Sequence, residues 1–157
     1  MPAAARLSDM TIHGTPYVPG TGSPDVLIGN LPALRAMSPA AVAAFAATLA
    51  KIAVNLEVMK GAINSGNTAL AAKAAKDLKD DATDAISMIG TMDQIVCPML
   101  LLKVGGPPNG PGVIIGGSTT VQINGLPAGR AGDQIREVMA LDPNAVAVGL
   151  PTVQIGG

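Results

Sequence analysis

One nine-residue phrase is written three times in this chain: residues 22–30 read Gly-Ser-Pro-Asp-Val-Leu-Ile-Gly-Asn, residues 117–125 Gly-Ser-Thr-Thr-Val-Gln-Ile-Asn-Gly, and residues 149–157 Gly-Leu-Pro-Thr-Val-Gln-Ile-Gly-Gly. Repetition constrains the fold before any residue suggests a chemistry, because each copy should form the same unit and copies stack to share a core. Val26 and Ile28, Val121 and Ile123, and Val153 and Ile155 give each copy one apolar strand face. The Gly or Asn pair that follows supplies the positive φ of a two-residue hairpin turn. Each phrase therefore predicts a short strand ending in a tight turn.

A second repeat runs beside the first. Residues 4–6, 33–35 and 128–130 read Ala-Ala-Arg, Ala-Leu-Arg and Ala-Gly-Arg, the last two preceded by Leu-Pro. In two copies an Asp follows the Arg by three residues, as Arg6 with Asp9 and Arg130 with Asp133. A local turn-stabilising ion pair, or an Arg bonded to backbone carbonyls, is the reading this spacing favours. The copy at Arg35 lacks the Asp, since Ser38 stands in its place, and there Ser38-Pro39 reads as the N-cap and first residue of a helix.

Val42, Phe45, Leu49, Ile52, Leu56, Met59 and Ile63 then recur at alternating steps of three and four, a heptad seam. Gly66-Asn67 interrupts it, and Ala71, Ala75, Leu78, Ala82, Ala85, Ile89, Met92 and Val96 resume it. Two helices with matching seams predict an antiparallel αα-hairpin buried on itself, with Lys73, Lys76, Asp77, Lys79, Asp80, Asp81 and Asp84 on a solvated face. Cys97-Pro98 ends the helical pattern, because Pro lacks an amide hydrogen and disfavours helix in its predecessor. Residues 99–104 read as a buried strand, and residues 105–112, rich in Gly and Pro, as a loop before the β-repeat resumes.

The expected fold is mainly β with a helical insertion: residues 1–37 and 97–157 form the repeat domain and residues 38–96 the hairpin. Its core must be small and aliphatic, for 157 residues include one Tyr, one Phe and no Trp. A net charge of −1 offers no footprint for nucleic acid or an anionic membrane. The single Cys97 makes no intrachain disulfide, and the N-terminus shows no signal-peptide pattern. The apolar run from Pro39 to Ala50 is too short to span a bilayer, so no stable membrane insertion is expected.

Residues 1–9, His13-Gly14, residues 22–30, Cys97-Pro98, residues 117–133 and residues 149–157 together resemble the PAAR-repeat family. The resemblance covers nearly everything outside residues 38–96 and lies in the order and multiplicity of weak motifs. It implies a small conical domain of threefold-like β-hairpin repeats that caps the trimeric β-helical spike of a contractile injection machine, a type VI secretion system or a phage-tail-like particle. The implied role is that of a non-enzymatic structural tip, one per spike trimer of the valine-glycine repeat type or its equivalent, that sharpens the spike for membrane puncturing. It also implies assembly in the cytoplasm and delivery outside, or into the target cell, with the particle. Threefold repetition in one chain suits a threefold partner whose strand edges need covering. The alternative role is a cargo carrier whose helical hairpin docks an effector or adaptor.

The resemblance further implies one structural zinc, held in the family by three His and one Cys. His13 and Cys97 match two of those ligands, and the chain has no other His or Cys. Structural zinc takes four ligands, so carboxylates, water or a neighbour's side chains must complete the set. Asp9, Asp93 and Asp133 are available, with nothing in their spacing to select among them. In the competing reading His13 is a hydrogen-bonded loop residue and Cys97 a small core residue. For catalysis only Cys97 with His13 makes a nucleophile-base pair, and no third orienting group or oxyanion motif accompanies it. The expectation is no enzymatic activity.

Overall fold

The computed structural model describes residues 1–100, 108–140 and 142–157, and contacts divide the chain into two units, Met1–Pro39 with Ile89–Gly157, and Ala40–Met88. In the first unit all strand pairs are antiparallel. Ala3–Ala4 (β1) pairs with Leu150–Gln154 (β10), Leu27–Ile28 (β2) with Leu31–Pro32 (β3), and Gln122–Ile123 (β6) with Leu126–Pro127 (β7). Gln94–Leu100 (β4), Pro108–Ile114 (β5), Gln134–Glu137 (β8) and Asn144–Ala145 (β9) form a four-stranded sheet in that order.

The repeated phrases become the three small pairs. In two of them the turn residues hold positive φ at both positions, Gly29 (56°) with Asn30 (64°) and Asn124 (52°) with Gly125 (74°), as a two-residue hairpin requires. The third phrase finds its partner at the opposite end of the sequence: Gln154 sits opposite Ala3, as Leu27 sits opposite Pro32 and Gln122 opposite Pro127.

The Ala-x-Arg segments close a ring among these pairs. The Ala5 amide donates to Gly129 O (3.0 Å), the Gly129 amide to Leu34 O (2.8 Å) and the Leu34 amide to Ala5 O (3.0 Å). An outer set repeats the pattern, with Leu7 N donating to Pro32 O, Ala36 N to Pro127 O and Ala131 N to Ala3 O, each at 2.8 Å. Ala4, Ala33 and Ala128, each fully buried, pack with Ile28, Ile123 and Ile155 into one core cluster, and Leu150 lies against it. Three Ala and three Ile, one of each per repeat, are what a ring this tight accommodates. The first residue of each phrase is Gly because a Cβ there would come within 3.3 Å of Ala33 O from Gly22, 2.9 Å of Ala128 O from Gly117 and 2.6 Å of Ala4 O from Gly149. A second cluster gathers Ala5, Leu34 and Ala36 with Tyr17, Ile95, Cys97, Ile114, Ile135 and Val146.

The other unit is built on Pro39–Asn64 (α1) and Thr68–Ile89 (α2). Gly66 (φ 70°) closes α1, with Asn67 N donating to Ala62 O and Gly66 N to Ile63 O, and Asn67 Oδ1 caps α2 by accepting from Leu70 N at 3.0 Å. Thr48 meets Met88 (3.7 Å) and Asn55 donates to Asp81 (2.7 Å), so the helices run antiparallel. Phe45, Leu49, Ile52 and Leu56 of the expected seam are buried, and Lys73–Asp77 and Lys76–Asp80 pair on the exposed face.

Four expectations need correction. The seam of α1 ends on buried Ala62, leaving Ile63 62% exposed. Helix α2 stops at Ile89, not at Val96, because Gly90 follows and the Gln94 side chain donates to Ile89 O at 2.7 Å. Residues 89–96 therefore belong with the β unit, and Val96 lies in β4. Residues 108–112, expected as loop, belong to β5: Pro111 and Asn109 accept from the amides of Val138 and Met139, and accepting is what a Pro-containing strand can still do. Residues 99–100 finish β4, while 101–104 of the expected strand and 105–107 of the expected loop lie outside the described residues. Helix α1 is also continuous for 26 residues, long and apolar enough by length and composition to cross a membrane, so the shortness of the run to Ala50 excludes nothing.

Candidate metal centre

Each strand of the four-stranded sheet contributes one inward polar side chain to a single spot: Cys97 from β4, Asn109 from β5, Glu137 from β8 and Asn144 from β9, all at most 4% exposed. His13 joins them from a loop pinned by bridges between Met10 and Pro16, Thr11 and Val146, and Tyr17 and Ile95. Gly112, paired opposite Glu137, makes the room, since a Cβ at Gly112 would stand 2.7 Å from Glu137 Cγ.

His13 Nδ1 lies 3.2 Å from Glu137 Oε1 and 3.8 Å from Cys97 Sγ, and the three ligand atoms all lie within 4.8 Å of one another. Both neighbours converge on the same ring nitrogen. One N–H serves both poorly, and the carboxylate contact is long for a charge-assisted bond. A tetrahedral ion at ordinary zinc bond lengths holds N and O about 3.4 Å apart and N and S about 3.6 Å apart, close to what these donors show. Glu137 Oε2 is buried without a hydrogen-bond partner among the described residues, a cost that a cation would remove. Asn144 Nδ2 donates to Glu137 Oε1 (2.6 Å) and Asn109 Nδ2 to Cys97 Sγ (3.8 Å), so both amides orient donors from behind. The group fits a divalent metal.

His13 and Cys97, the two positions that the resemblance matched to metal ligands, lie side by side. Asp9, Asp93 and Asp133 are not with them: each is clasped by an arginine. The Arg6 amide and Nε donate to Asp9, the Arg130 amide, Nε and Nη2 to Asp133, and the Arg35 amide, Nε and Nη2 to Asp93. The copy that lacks a local Asp recruits Asp93, 58 residues away. Burial pushes the Asp9 and Asp133 carboxyls above the usual aspartate range despite these bonds, and the bonds to Asp93 raise Arg35 further.

Glu137 escaped the sequence reading. Its signal is alternation: Ile135 and Glu137 share one face of β8, so a carboxylate occupies an inward position. The same geometry weighs against a Cys-His-carboxylate catalytic triad, in which the thiol and the carboxylate must engage opposite ring nitrogens. No family model, no curated protein and no solved structure matches the chain.

Proposed function

We propose that this chain is a non-enzymatic tip that caps the trimeric β-helical spike of a contractile injection machine and helps it breach the target envelope. The observation that carries the reading is the threefold ring: three equivalent backbone bonds, three Arg–Asp clasps and three strand phrases in one chain. Val26, Val121 and Val153, equivalent in the three phrases, are each 36% exposed, so one chain offers the same apolar contact three times. A threefold partner engages all three at once, as its symmetry demands. One tip binds one trimer.

The metal belongs to this role as a staple. His13, Cys97 and Glu137 hold it, fastening the loop of residues 10–16 to the four-stranded sheet, and a divalent ion there adds folding free energy without chemistry on a substrate. We read the helical hairpin as water-exposed despite the length of α1, because Phe45, Leu49, Ile52 and Leu56 are buried and α2 carries exposed ion pairs.

Mixing the chain with the trimeric spike protein of its own system at micromolar concentration, followed by size-exclusion light scattering, tests the proposal. A complex of one tip per trimer, weakened by a Val26→Asp, Val121→Asp, Val153→Asp variant that stays folded, is the expected result. Absence of a complex with the native chain would overturn it.

A further inference from the structure

Three side chains gather at the metal centre, and a structural zinc takes four donors. Among the described residues His13, Cys97 and Glu137 are the one group of three or more His, Cys, Asp or Glu side chains within ligating distance of one another. Residues 101–107 and 141, outside that description, include no His, Cys, Asp or Glu. The two oxygens of Glu137 stand in unequal states. Oε1 accepts from Asn144 Nδ2 at 2.6 Å and lies 3.2 Å from His13 Nδ1. Oε2 is buried without a hydrogen-bond partner, on a side chain with 0% exposure. An anionic oxygen left in that condition is costly, and it stands on a residue already at the centre.

We propose that Glu137 binds the ion through both carboxylate oxygens, so that three side chains supply four donors and the centre is closed. Chelation gives Oε2 the partner it lacks, and the bond from Asn144 fixes the carboxylate's orientation from behind. Charge agrees: one thiolate and one carboxylate balance a divalent ion and leave the buried centre neutral. Asn109 also brings an oxygen to this place. Its amide, however, directs Nδ2 at Cys97 Sγ (3.8 Å), and turning Oδ1 inward would take that N–H from the sulfur. A water would have to lodge among Cys97, Asn109, Glu137 and Asn144, each at most 4% exposed, and a His13 side chain that is 9% exposed.

The inference rests on the reading of this cluster as a metal centre, and infrared spectroscopy separates the two. The chain has two glutamates, Glu57 and Glu137. Glu57 is 72% exposed at its side chain, so carbon-13 labelling of glutamate carboxyl groups sets one buried signal beside a solvated reference. When the full chain, stripped by chelator, is reloaded with zinc, the gap between the antisymmetric and symmetric stretches of Glu137 should fall below that of Glu57. A gap wider than that of Glu57 would mean a single bound oxygen and overturn the proposal. An unchanged Glu137 signal in a chain that takes up zinc would also overturn it. Failure to take up zinc would overturn the metal centre itself. In competition with a chromophoric chelator, Asn109→Ala should weaken zinc binding about tenfold, as loss of an outer hydrogen bond does, and Glu137→Gln should weaken it more. A larger loss at Asn109 than at Glu137 would make the amide oxygen the closing ligand and overturn chelation by Glu137.

Discussion

Asp93 shows how one side chain completes a symmetry that the sequence interrupts. It receives the Arg35 amide, Nε and Nη2 and also the amide of Gly22, and it is 2% exposed. Asp93→Ala would leave Arg35, itself only 15% exposed at the side chain, without its counter-charge. A loss of about 3 kcal/mol is expected from urea denaturation; a loss under about 1 kcal/mol would mean that the clasp is ornamental. The Arg-x-x-Asp pairs at Arg6 and Arg130 were legible in the sequence because their partners are three residues apart, whereas the Arg35 pair was not, since no local rule links residues 58 apart.

A second outcome at this scale concerns protons. Burial raises the folded-state pKa of Asp9 and Asp133 above the ordinary 3.8, while bonds from Asn124 and Ser23 lower that of exposed Asp25. A raised carboxyl binds more protons folded than unfolded, so the stability Asp9 and Asp133 contribute is complete below 3.8 and lost as pH rises through their folded values. Asp25 runs the other way, its contribution present above 3.8 and lost as pH falls through its folded value. Carboxyl-carbon NMR titration should place two midpoints above 3.8 and one below it.

At the scale of elements, local chemistry was legible wherever a turn or helix end was written in adjacent residues. Gly-Asn and Asn-Gly made their hairpins, α1 began at Pro39 directly after Ser38, and Gly66-Asn67 separated the helices. It was misleading where tertiary pairing overrode it. The Pro and Gly of β5 read as loop, yet their carbonyls complete a ladder and Gly112 yields space to Glu137. The helical excursion consequently runs from Ala40 to Met88, and Asp93 lies outside it. Replacing residues 40–88 by a short Gly-Ser linker should leave a folded β unit with a cooperative thermal transition. Replacing 39–95 removes Asp93 and Ile95 with the helices and should abolish that transition. Equal behaviour of the two deletions, checked by circular dichroism and calorimetry, would refute the division.

For the molecule as a whole, metal binding and folding should be linked. At a free zinc concentration of 100 times Kd the native state gains about 2.7 kcal/mol, so chelation should lower Tm and Cys97→Ser should remove most of the response. A Tm indifferent to zinc and chelator would leave His13, Cys97 and Glu137 as a polar cluster only. The sequence by itself determined the repeating unit, its turns and the antiparallel helical hairpin, because each is encoded by spacing within a few residues, while two members of the polar site came from the resemblance that His13 and Cys97 carry. Only the tertiary structure decided that the third phrase pairs with the first residues of the chain, that Asp93 closes the third clasp and that Glu137 stands beside His13 and Cys97. Those depend on which distant backbones lie side by side, and the ring of bonds joining Ala5, Leu34 and Gly129 sets that by closing three separate stretches of chain upon one another.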